Sequence, residues 1–160
     1  MAESGGQERS DRGMSLLQRL SSALGEVSSV VEEPDGALTV TVDGSVASVR
    51  VVAIAEDLEM VSLTQPLAWD LPLNNKIRER VSDHASKTML GTVVLVEKLV
   101  EVPTNGATPK GAARKRPAKK VADVMLRYNF PAAGLTDDAL RTLILMVLAT
   151  GADVRRDLMS

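Results

Sequence analysis

A strand that runs straight into a long apolar helix constrains this chain more than any other feature. Val124-Met-Leu-Arg-Tyr-Asn-Phe130 alternates in polarity and stops at Pro131; Gly134-Leu-Thr-Asp-Asp-Ala-Leu140 then opens a helix rich in Leu, Ile and Val. Val124, Leu126, Tyr128 and Phe130 share one face of the strand, with Asp123, Met125, Arg127 and Asn129 on the other. Thr136 can cap the helix's orphan amides, and Asp137 and Asp138 suit its positive end. Leu140, Leu143, Ile144, Val147 and Leu148 form a core stripe, while Leu145 and Met146 spill round the back. Burying the five stripe residues is worth roughly 8–15 kcal/mol gross, so Leu143→Asp is expected to abolish folding. The extra apolar pair at 145 and 146 points to a second contact surface, used by a homodimer or a partner.

Upstream, residues 1–13 hold almost nothing to bury and read as a disordered tail, with 14–160 a single domain. A first helix begins near Ser15, with Gln18 placed as in a capping box; Leu16, Leu17, Leu20, Ala23 and Leu24 follow at helical spacing. Four strand-like pieces come next: Val27–Glu33, Ala37–Val42, Val46–Ala55 and Glu59–Leu67. The Asp43-Gly44 turn is a strong hairpin signal, because such turns need positive φ. A second helix spans about Asn75 to Thr88 on a thin apolar line of Ile77, Val81 and Ala85. Gly91 resets the chain into Thr92–Val102, apolar on both faces, which suggests cover on both sides, as from another subunit. The order is α-β-β-β(-β)-α-β-β-α, an α+β arrangement in which an antiparallel sheet packs with helices.

Little here promises chemistry. The chain has no cysteine, so disulfides, thiolate catalysis and thiolate metal sites are excluded. With one histidine as well, no transition-metal site and no cofactor is expected. His84 lies at the edge of the second helix's apolar line and reads as a packing or surface residue. The acid pairs Glu32-Glu33, Glu56-Asp57 and Asp137-Asp138 sit at turns or a helix start, where carboxylates belong structurally. No nucleophile elbow, dinucleotide fingerprint or phosphate-binding loop occurs, and a catalytic role is not expected. Neither a signal peptide nor a membrane span is recognisable, so the expected location is the cytoplasm.

Two features could carry binding. Trp69, in Leu67-Ala-Trp69-Asp-Leu71, is expected in core or dimer packing ahead of a peptide-binding anchor. Most methionines (Met60, Met89, Met146, Met159) read as gap-fillers, but Met125 occupies the outward face of its strand. The loop from 103 to 120 is different in kind: Lys110, Arg114, Lys115, Arg116, Lys119 and Lys120 carry six positive charges with no acid among them. Set against a net charge of -2, they leave about -8 on the remainder. Prolines, glycines and alanines keep this loop from forming a packed element. It reads as a solvated loop or as an arm for nucleic acid, anionic lipid or another polyanion. Full engagement with phosphates would give a log–log salt slope near about -4 to -5.

The arrangement resembles the YbjN-like proteins, a bacterial group sharing the type III secretion chaperone-like fold. The likeness lies in Leu90-Gly-Thr-Val-Val-Leu-Val-Glu97, in Val124-Met-Leu-Arg-Tyr-Asn-Phe130, and in Gly134-Leu-Thr-Asp-Asp-Ala-Leu-Arg141 running into the last helix. Roughly residues 90–102 and 121–160 carry it. The resemblance implies a small homodimer that holds a partner peptide or acts as a regulator, and brings no catalytic residues with it. In that fold the connection between the last two strands is commonly short, so the stretch at 103–120 is a departure. The expected function is therefore a non-enzymatic chaperone-like or adaptor protein that binds a protein or peptide, acting as a homodimer. The alternative is a regulator that binds nucleic acid or another polyanion through residues 110–120.

Overall fold

A computed structural model describes residues 14–101 and 118–160. They form three helices and one six-stranded antiparallel sheet, in the order α-β-β-β-β-α-β-β-α. The elements are α1 (Leu16–Gly25), β1 (Ser29–Glu32), β2 (Leu38–Val42), β3 (Ser45–Ala55), β4 (Leu58–Pro72), α2 (Asn75–Lys87), β5 (Thr92–Glu101), β6 (Ala118–Pro131) and α3 (Asp137–Leu158). Across the sheet the strands run β1-β2-β3-β4-β6-β5. The tail at 1–13 and the basic residues Lys110, Arg114, Lys115 and Arg116 lie outside the described residues.

Local chemistry starts each helix. Ser15 and Gln18 form a reciprocal capping box on α1. Asn74 accepts from the Ile77 amide to start α2, and Thr136 accepts from the Ala139 amide to start α3. At the β2–β3 hairpin, Asp43 (φ 48°) and Gly44 (φ 82°) are the two residues between paired Val42 and Ser45. Two positive-φ residues match the twist of the flanking strands, which is why Asp-Gly works there.

Alternation in the strands sorts the side chains. Leu38, Val40, Ala47, Val49, Val61, Leu63, Val124 and Leu126 are buried beneath the helices, in one cluster with Leu20 and Leu24 of α1 and Ile77 and Val81 of α2. The stripe on α3 is Leu140, Ile144, Val147, Leu148, Gly151, Val154 and Leu158. Of the five residues expected in this stripe, Leu140, Ile144, Val147 and Leu148 are buried and Leu143 is half-buried, packed against the core. The helical period centres the stripe on 140, 144, 147 and 151, with 143 at its margin.

One further expectation changes. The segment that was to remain loop as far as 120 becomes strand at Ala118: Lys119 pairs with Val100 and Lys120 with Leu99. The inner edge of β5 satisfies those backbone groups, and the ammonium groups stay exposed. Among the described residues the strand at 92–101 is an edge strand, paired with β6 alone. Val93 is buried and Leu95 packs against the core, while Val94, Val96 and Val100 are half-buried and Leu99 is exposed.

Candidate binding cleft

β4 is the element that makes a site. Its first half pairs with β3, and that ladder ends at Ser48–Thr64. Its second half continues to Pro72 against β6 alone, with register shifts between Pro66 and Ala68 and between Ala68 and Leu71. Each shift inserts an extra residue on β4, which bends the strand and increases its twist. Pro66, with no amide to donate, is tolerated at such a bulge. β3 and β4 therefore part company at one end of the sheet. A cleft of about 490 Å³ opens there, lined by Gly44, Ser45, Val46, Gln65, Pro66, Leu67, Ala68, Trp69, Arg155 and Met159.

The second bulge is held by ions. Asp70 takes φ 55°, a left-handed conformation that a short polar residue tolerates better than a branched one. Its amide donates to Asp123 Oδ1 at 2.9 Å. Lys98 Nζ, on β5, reaches Asp70 at 2.6 Å and Asp123 at 3.0 Å, and lies 5.6 Å from the centroid of the Trp69 ring. Asp123 is only 5% exposed. Burial alone would push its carboxyl up, but the Asp70 amide and the Lys98 ammonium outweigh that and hold it below the ordinary value. Hydrogen bonding to Asp70, then to Asp123, raises the Lys98 ammonium.

Beside this latch Trp69 points outward. The indole is 58% exposed, so of the alternatives expected for it the chain's own core is excluded, and dimer packing and a peptide anchor are left. The shift between Pro66 and Ala68 puts Leu67 and Ala68 inside together and so separates Trp69 from Leu67, and the second shift lies between Trp69 and Leu71.

At the floor of the cleft lies Gln65, 2% exposed. Its register partner is Leu126, so it faces the helices. Nε2 donates to the Leu148 carbonyl of α3 at 3.3 Å, and Oε1 has no hydrogen-bond partner. The amide lies against Gly151, where any Cβ would collide with it. One turn further along α3 stands Arg155, exposed at the rim. Its neighbour Arg156 pairs with Asp153, and Asp157 with His84 at 2.6 Å. Among the described residues Arg155 makes no ion pair.

Gln65, Gly151 and Arg155 were not singled out from sequence, yet two of them leave a trace there. Val61, Leu63, Gln65 and Leu67 fall on alternate positions, so Gln65 is an amide written into a core-facing series. Gly151 interrupts a helix at a cost of about 1 kcal/mol against Ala, and so calls for a packing reason.

The residues that sequence did single out scatter. Met125 is half-buried on the face of β6 turned away from the helices, opposite Pro66 and Val94. Leu145 and Met146 lie in the helix layer. Leu145 lines a neighbouring groove with Val27 and Val42, and Met146 is exposed. Lys119 and Lys120, being adjacent in a strand, point to opposite faces and do not form one patch. Among the described residues no group of three or more His, Cys, Asp or Glu side chains could hold a metal ion, and no helix is long and apolar enough to cross a membrane.

No protein-family model matches this chain, and neither does any curated protein.

Proposed function

We propose that the protein is a non-enzymatic, chaperone-like or adaptor protein that holds a segment of a protein partner. One observation carries this: the sheet parts at β3 and β4 and leaves an apolar cleft with the exposed Trp69 on its wall. Indole, Val46, Pro66 and Met159 offer area without demanding polar partners, and an exposed aromatic anchored by its neighbours is the kind of group that dominates binding energy. The Lys98–Asp70–Asp123 latch fixes the bulge beneath Trp69, so little order has to be gained on binding. The likeness to the YbjN-like proteins points to the same kind of activity, with a homodimer as the working form.

A peptide array probed with the wild-type chain and with Trp69→Glu tests the reading. Peptides that bind the wild type are expected to lose at least about tenfold in affinity for the variant, with unchanged melting. Equal binding by both chains would place recognition elsewhere, and an array with no binders would remove the reading altogether.

A further inference from the structure

We propose that the cleft is one end of a trough that takes an extended, internal segment of the partner, with an acidic side chain held by Arg155 between apolar residues on either side. This deepens the peptide-binding reading above and rests on it.

The cleft does not end at Arg155 and Met159. Those two residues, with Gly44 and Ser45, also border a second hollow of about 410 Å³. Asp43, Ser45, Ala152 and Arg156 border both that hollow and the groove of about 490 Å³ lined by Val27, Val42 and Leu145. The three hollows therefore follow one another past the tip of the β2–β3 hairpin, along α3 from Met159 back to Leu145. That stretch of helix covers about 21 Å, the reach of roughly six extended residues. A trough of such length suits a chain that runs through it. Its first wall suits an extended one: beyond Thr64, among the described residues, β4 has a strand on its β6 side alone, and a strand edge is where extended segments add.

Polarity along the trough sets the order of the occupant's side chains. The cleft end offers Trp69, Val46 and Met159, all exposed, and the far end offers Val27 and Leu145. Both select apolar residues. The charged side chains of the middle hollow are Asp43, Arg155 and Arg156. Arg156 is paired with Asp153, and Asp43 does not border the cleft. Arg155 borders both the cleft and the middle hollow, is exposed, and makes no ion pair among the described residues. A carboxylate that meets it beside the indole and Met159 is partly screened from water, so the pair is worth more than one on an open surface.

Trp69 is the chain's single tryptophan and lines the cleft, so its emission reports occupancy there. The full chain is titrated with two pools of hexapeptides, N-acetylated and C-amidated so that no terminal charge remains. Both carry Leu, Val or Met on either side of a central position, which is Glu in one pool and Gln in the other. The Glu pool is expected to shift the emission to the blue with at least about tenfold higher affinity. Arg155→Gln should reduce the Glu pool to the level of the Gln pool. Val27→Ser, at the far end, should weaken both pools by about threefold, the effect of losing roughly one buried methylene's worth of contact. Circular dichroism melting checks that each variant is folded. Equal affinity of the two pools for the wild type, or a Glu preference that survives Arg155→Gln, overturns the acidic specificity while leaving peptide binding standing. Indifference to Val27→Ser overturns the trough, as do peptides cut short to end in a free carboxylate at the Glu position that bind as tightly. If neither pool moves the emission, the inference falls, and the peptide-binding reading falls with it only when the array is blank too.

Discussion

Asp123 and Gln65 show two opposite ways for a polar side chain to live in this interior. Asp123 is fully engaged: the Asp70 amide and the Lys98 ammonium compensate its desolvation, and its carboxyl titrates below the ordinary 3.8. A carboxyl whose folded pKa is depressed contributes stability that is present above its unfolded pKa and is lost as pH falls through the folded one. Asp123→Asn should therefore melt below the wild type at pH 7, and the gap should close as the pH falls below 3.8 and through the lowered folded value. A gap in melting temperature that is constant from pH 7 to pH 2 would show that the charge is irrelevant. Gln65 is half engaged, since Oε1 has no partner. An apolar side chain of similar size removes that burden, so Gln65→Leu should raise stability by about 1 kcal/mol in urea unfolding. A stabilising change at a lining position is the mark of a residue kept for something other than folding. A loss of 2 kcal/mol or more, roughly the cost of a disrupted core contact, would instead make Gln65 a structural residue.

Among the elements, α3 and β6 were the most readable in sequence and β4 the least, for a physical reason. Val124 to Phe130 alternates without interruption, and Thr136 with its two following acids marks where α3 begins; unbroken periods and caps act locally. β4 was read only as far as Leu67, because its continuation depends on bulges that place Leu67 and Ala68 inside together. Alternation cannot announce a position where it fails, and Asp70's positive φ is held by Asp123 and Lys98, residues far away in the chain. The same limit hid the contact between α3 and β4. Gly151→Ala gains helix propensity, worth about 1 kcal/mol, but drives a methyl group into the Gln65 amide. We expect a net loss of roughly 1–3 kcal/mol in denaturant unfolding, as for other overpacked cores. Adding Gln65→Ala should recover most of it, and two independent, additive penalties would show that the residues do not share space.

For the whole molecule, all three helices pack on one face of the sheet, and the other face carries Val94, Val96, Met125 and Pro66 side by side across β5, β6 and β4. The homodimer proposed above is assigned to this face, ahead of the Leu145–Met146 side of α3. Met125→Asp should halve the mass measured by light scattering, whereas Met146→Asp should leave it unchanged. A wild-type chain that is already monomeric, or a dimer indifferent to Met125, would reject this arrangement. The α+β class and the order of elements were legible before any coordinates, since each rests on local pattern. The parting of β3 from β4 was not, because it exists only where three strands and a helix end meet.

The position of Lys98 carries one more consequence. Among the described residues β5 ends the sheet, and Thr92 to Val100, mostly Val and Leu, have no strand on their outer side, a ready template for another chain's strand. Lys98 interrupts that margin with a charge committed to Asp70 and Asp123, so the residue that shapes the bulge also guards against runaway assembly. Lys98→Val should yield thioflavin-positive fibrils from a chain that otherwise stays dispersed, long before its melting temperature reveals any fault.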